Sequence, residues 1–116
     1  MNSSVQKLLE RIEAKRDEVT ALTQELVRIP TINPPGDAYE ACAHFIGERL
    51  AKKGFAVEYV RAIGAPGDSD SHPRTNVVAR WQGQAPGECV HFNSHIEVVE
   101  AGSGWTYEPF GGQVAH

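Results

Sequence analysis

Apolar residues recur three and four apart from the start of the chain: Val5, Leu8, Leu9, Ile12, Val19, Leu22, Leu26 and Val27 all fall at helical spacing. The pattern predicts one long amphipathic helix running to about Arg28, with Ser3 or Ser4 placed to cap its start. Its middle, Glu13 to Glu18, is almost wholly charged and reads as a solvated stretch. Pro30, Pro34 and Pro35 forbid continuation, and Pro34-Pro35-Gly36 makes a stiff turn rather than a flexible linker. A second helix follows, with Asp37 as its cap and Ala41, Phe45, Ile46 and Leu50 as its apolar stripe. Lys52-Lys53-Gly54 gives it a cationic last turn and a glycine stop.

Beyond Gly54 the period changes from helical to alternating. Phe55 to Ala62 predicts a strand, Ile63 to Arg74 a surface loop rich in Gly, Pro, Asp and Ser, and Thr75 to Trp81 a second strand. Gln82 to Glu88 reads as a turn and Cys89 to Ile96 as a third strand. The order predicts an α/β fold: two helices followed by three strands of a mixed sheet, with the helices packed on it and only part of the sheet present. No repeat, low-complexity tract or linker divides the chain, so residues 1–116 read as one domain with a small core.

Charge narrows the partners. A net charge of -4 without any Lys/Arg cluster argues against nucleic acid and against an anionic membrane. No segment approaches the roughly 20 apolar residues of a bilayer span, and the amino terminus has no signal-peptide run, so a cytoplasmic protein is the expectation. Cys42 in the second helix and Cys89 at the start of the third strand read as small buried residues in a reducing compartment, not as a disulfide or a reactive thiol.

The chemistry concentrates at His95 and Glu97. Two residues apart on a strand they share one side, so the imidazole can bind a metal through one nitrogen while its other N–H meets the carboxylate. His91 and Asn93 share that strand face. Alternate residues on one face lie roughly 7 Å apart and zinc–nitrogen bonds are about 2.0–2.1 Å, so the histidines at 91 and 95 cannot grip one ion, and His91 reads as structural. His44 lies in the second helix. His72 in the loop and His116 at the terminus read as solvated. Ser94 faces away from His95 and lacks a nucleophile elbow. The glycines at 102, 104, 111 and 112 lack the residues of a phosphate loop. Trp105, Tyr107 and Phe110 read as packing aromatics, with a rim over a metal cleft as the alternative.

The run His91-Phe92-Asn93-Ser94-His95-Ile96-Glu97-Val98-Val99, followed by Gly104-Trp105-Thr106-Tyr107-Glu108-Pro109-Phe110, resembles the M20 family of zinc aminoacylases and peptidases. There a strand ending in His-x-Asp-Val-Val leads into Gly-x-Trp-x-x-x-Pro-Phe. Leu26 to Gly36 is similar to the family's opening segment, and Thr75 to Arg80 to its second strand. Four matching segments in family order are far more specific than a lone His-x-acid. The resemblance implies the amino-terminal part of a three-layer αβα catalytic domain. It implies two zinc ions, His95 as a metal ligand, Glu97 as the carboxylate that orients it, and a small-molecule amide as substrate.

The same resemblance implies departures. The family's further metal ligands and its general-base glutamate lie downstream of the matched stretch, and one ligand alone cannot fix and activate a zinc-bound water. Glu97 stands where the family has Asp, and Ser94 where Gly is usual. Two function classes stay open. One is part of a zinc hydrolase cleaving an N-acyl amino acid or related amide with metal-activated water. The other is a non-catalytic piece that associates with itself through open strand edges and apolar surface.

Overall fold

The computed structural model describes residues 3–115. Three helices and two strands follow in order: α1 (Ser3–Glu13), α2 (Arg16–Val27), α3 (Tyr39–Lys52), β1 (Ala56–Arg61) and β2 (Thr75–Arg80). The architecture is α/β, and α3, β1 and β2 lie where the sequence pattern puts them. The described residues divide into two compact units. One holds the chain up to Ile29 together with the segment from Ser103 onward; the other runs from Pro30 to Gly102.

In the first unit, the predicted long helix is two helices. It breaks at Ala14 and Lys15, where the Lys15 N–H bonds to the Ile12 carbonyl and Lys15 leaves helical geometry at φ -99°, ψ 5°. The break falls in the charged run, where nothing apolar holds the turn: neither α1 nor α2 has a buried residue. A helix with no buried residue rests largely on propensity, which is marginal at this length. Exposed pairs between Lys15 and Glu18 and between Arg16 and Glu13 flank the break and add little. The 103–114 segment lies along α2, where Gln24 Nε2 donates to the Gly112 carbonyl (2.6 Å) and Arg28 Nε to that of Gly111 (3.1 Å). A groove of about 790 Å³ runs between them, lined by Val19, Thr23 and Val27 on one side and Trp105, Tyr107 and Pro109 on the other.

In the second unit, β1 and β2 form an antiparallel pair with Ala56 opposite Arg80 and Arg61 opposite Thr75. α3 packs on it. The core is small: Tyr39, Cys42 and Ala43 are its buried apolar side chains. The buried stripe of α3 therefore runs through Tyr39, Cys42, Ala43 and Gly47, and the predicted member Ala41 is exposed. Asp37 does not cap α3. The residue before the helix is Ala38, in a left-handed conformation at φ 54°, and no side chain caps the helix start. The predicted stop is real: the Gly54 N–H bonds to the Ala51 carbonyl (2.9 Å) and the Phe55 N–H to that of Leu50 (3.2 Å), the two bonds of a Schellman motif, with Gly54 at φ 94°.

The loop joining the strands is organised by Asp68, whose side chain is 4% exposed. It accepts from Arg61 Nε (2.9 Å) and Nη2 (3.1 Å) and from the Arg74 main-chain N–H (2.9 Å). These bonds hold its carboxyl down at about 2.

The predicted third strand does not form. Residues 82–97 make no main-chain to main-chain hydrogen bond among the described residues, and Val90 and Phe92 are 75% and 90% exposed. A strand exists only against a neighbour that satisfies its N–H and C=O groups. Past this stretch, one isolated parallel bridge joins Val98 to Ile32.

Candidate functional site around His95 and Glu97

The stretch that carries His95 and Glu97 is held by the turn following Pro30. The Val98 N–H donates to the Thr31 carbonyl (2.9 Å) and the Asn33 N–H to the Val98 carbonyl (2.8 Å), which makes the bridge. The Thr31 hydroxyl donates to the Ile96 carbonyl. Thr31 is 3% exposed, so both contacts are shielded from water. α2 ends at Val27, two residues before the position preceding Pro30, which disfavours helix there.

His95 and Glu97 are together even though no strand carries them. Nδ1 of His95 lies 2.9 Å from the main-chain carbonyl oxygen of Glu97 and 3.6 Å from its carboxylate Oε2. The expected partner was the carboxylate; the shorter contact is the carbonyl. A carbonyl only accepts, so Nδ1 is the donor and carries the hydrogen. In the neutral ring Nε2 then keeps its lone pair, on a side chain that is 76% exposed.

A second polar cluster in the same unit centres on Arg74. The Arg74 guanidinium sits 4.9 Å over the Tyr39 ring and donates through Nη2 to Asn33 Oδ1 (3.2 Å) and the Pro35 carbonyl (3.1 Å). Its seat exists because two residues lack a side chain. A Cβ on Gly36 or on Gly67 would stand 2.2 Å from the guanidinium, and both glycines hold positive φ, 106° and 81°. Burial pushes the Tyr39 hydroxyl above its ordinary range, Arg74 opposes this, and the negative charge of Glu97 adds to it. The sequence reading passed over Thr31, Tyr39 and Arg74. The only signal for any of them was a glycine at 67 inside the loop that ends at Arg74.

The other candidate residues are dispersed. His91, Asn93 and Ser94 are exposed on the unpaired stretch, so the structural role expected for His91 has no packing behind it. His44 stacks on Tyr59 with ring centroids 4.0 Å apart. His72, read as solvated, instead bridges Asp37 (Nε2 to Oδ1, 3.2 Å) and the Ser71 hydroxyl (Nδ1 to Oγ, 3.1 Å), latching the strand-joining loop to the turn before α3. His116 lies outside the described residues. Cys42 is buried, which pushes its thiol up, whereas Cys89 is exposed, contrary to expectation; both are free. Trp105 and Tyr107 are 61% and 56% exposed, and of the three loop aromatics only Phe110 is half-buried. Among the described residues no three His, Cys, Asp or Glu side chains gather in a way that could hold a metal ion. The donor set thus fits a single imidazole ligand with a fixed ring, not a closed site. No described helix is long and apolar enough to cross a membrane.

An α/β chain with a histidine and a carboxylate fixed two residues apart defines a class by chemistry only, and comparison with known proteins sharpens it. The chain is 36% identical over 98 residues to the succinyl-diaminopimelate desuccinylase of Cereibacter sphaeroides and 33% identical over 97 residues to that of Dinoroseobacter shibae. The matches cover 82% and 81% of this chain but 22% of each relative, so the chain spans about a fifth of their length. The similarity supports a relationship to enzymes of this hydrolase class. No family model matches the chain, and no solved structure matches it.

Proposed function

We propose that this chain is part of an M20-type zinc-dependent amidohydrolase that removes an acyl group from an N-acyl amino acid in the cytoplasm. His95 is one metal ligand through Nε2, and Glu97 orients it. What supports the reading is the similarity over 98 residues to desuccinylases, which coincides with a histidine whose ring is fixed through Nδ1 and open at Nε2. Zinc, when bound, supplies a water of lowered pKa and polarises the scissile carbonyl. The chain's own residues hold the imidazole in place, leave Nε2 its lone pair, and keep a carboxylate 3.6 Å from Nδ1. Among the described residues no further ligands gather at His95, so the 116-residue chain by itself should not hydrolyse the amide.

A chimera tests this. When this chain replaces the matching stretch of the Cereibacter sphaeroides enzyme, succinyl-diaminopimelate should be hydrolysed in a zinc-dependent, chelator-sensitive way. His95→Ala should abolish activity, and Glu97→Ala should reduce it by about 10–100-fold. A folded, active chimera indifferent to His95→Ala would refute the assignment; robust zinc-dependent hydrolysis by the purified 116-residue chain would refute only the statement that the chain alone is inactive. The second reading, a non-catalytic piece that self-associates, draws on the exposed Val90, Phe92 and Val99 and is compatible with the first for the isolated chain.

A further inference from the structure

Thr31 uses two different groups on two adjacent peptide units. Its hydroxyl donates to the Ile96 carbonyl, which belongs to the peptide before Glu97. Its own carbonyl accepts the Val98 N–H at 2.9 Å, which belongs to the peptide after Glu97. The carbonyl of that second peptide is the Glu97 oxygen that lies 2.9 Å from His95 Nδ1. A peptide unit is planar, so holding its N–H on one side fixes the direction of its C=O on the other.

We infer that Thr31 is the positioning residue that decides which nitrogen of His95 is available: by holding both peptides around Glu97 it aims the Glu97 carbonyl at Nδ1, which keeps the hydrogen there and leaves Nε2 as the free acceptor. Which ring nitrogen carries the hydrogen is set by the bond the other atoms make to it. Without a fixed acceptor beside Nδ1, the neutral ring is free to place its hydrogen on Nε2, which then cannot bind a cation. Glu97 contributes through its main chain as well as its carboxylate, so lengthening the side chain from the family's Asp leaves this part of the device intact. The inference rests on the reading of His95 as a ligand only for its purpose; the device itself is a statement about hydrogen placement.

The test contains no metal. In the 116-residue chain labelled with 15N-histidine, long-range 1H–15N correlation spectra at one fixed pH, where the ring is neutral, report the hydrogen position on His95. The wild type should carry it on Nδ1. Thr31→Val, which keeps the shape and the main-chain bond to Val98 but releases the Ile96 carbonyl and so loosens the peptide before Glu97, should move a measurable fraction of it to Nε2, and Thr31→Ser should restore the wild-type spectrum. A wild-type ring with its hydrogen on Nε2 overturns the inference without any variant being made, so it stays testable even if Thr31→Val fails to fold. A folded Thr31→Val with an unchanged spectrum overturns it equally. Failure of the zinc-hydrolase reading would appear in the His95→Ala chimera and leave these spectra unaffected, so the two failures are distinguishable.

Discussion

Asp68 takes four hydrogen bonds on one nearly buried carboxylate, from Arg61 twice, from the Arg74 N–H and, at 3.4 Å, from the Gly64 N–H. Its folded pKa of about 2 lies below the ordinary carboxylate value near 3.9. A depressed carboxyl stabilises the fold above the unfolded pKa, and this stabilisation is lost as pH falls through the folded one. The wild-type chain should therefore weaken between about pH 4 and pH 2, when followed by urea midpoints across that range. Asp68→Asn should be less stable than wild type at pH 6, because its amide turns an N–H toward Arg61, and its curve should be flatter over the acid range. Equal stability of the two chains at pH 6 would show that the loop is held by something else.

At the scale of elements, α3 and the strand pair were legible because their periodicities are unambiguous, but one close approach between them was not. Gly47 in mid-helix looks like a defect worth about 1 kcal/mol against alanine. It is the space into which Tyr59 of β1 fits: a Cβ there would lie 2.2 Å from the Tyr59 hydroxyl and 2.6 Å from its ring. Gly47→Ala should thus lower the urea midpoint despite better helix propensity, and in a Tyr59→Leu background the same change should raise it. A stabilising Gly47→Ala in the wild-type background would sink this account. The elements that misled the reading share one cause, which is the absence of a neighbour. The alternation of Cys89 to Ile96 is a strand pattern without a partner strand, and the apolar spacing of the first 28 residues continues across a charged turn that nothing packs. Pattern records what a segment can bury; it does not record whether the surface to bury it against is present.

For the whole molecule, that missing surface is the main property. Among the described residues Phe92 is 90% exposed, Val99 78% and Val90 75%, against three buried apolar side chains in the core. Apolar surface of this extent normally meets a partner. The purified chain should self-associate, and light scattering should give a mass above the 12.7 kDa of one copy; a stable monomer at high concentration would contradict this. The spacing of His95 and Glu97 drew attention to the pair through a shared strand face, but no strand forms there and the nearer partner of Nδ1 is the Glu97 carbonyl. Thr31 was not legible, because it acts on Ile96 from 65 positions away, and a lone buried threonine after a proline has no pattern to mark it.

The seat of Arg74 also bears on how this chain tolerates change. Two missing side chains, at Gly36 and Gly67, form a mould around a flat fork whose Nη2 reaches Asn33 and Pro35. A lysine would carry the same charge into that mould, but its rounded ammonium would leave the slot partly empty and one acceptor unmet. At this position the chain discriminates by outline before it discriminates by charge, so the exchange ordinarily counted as the mildest for an arginine is here a change of shape at three places at once.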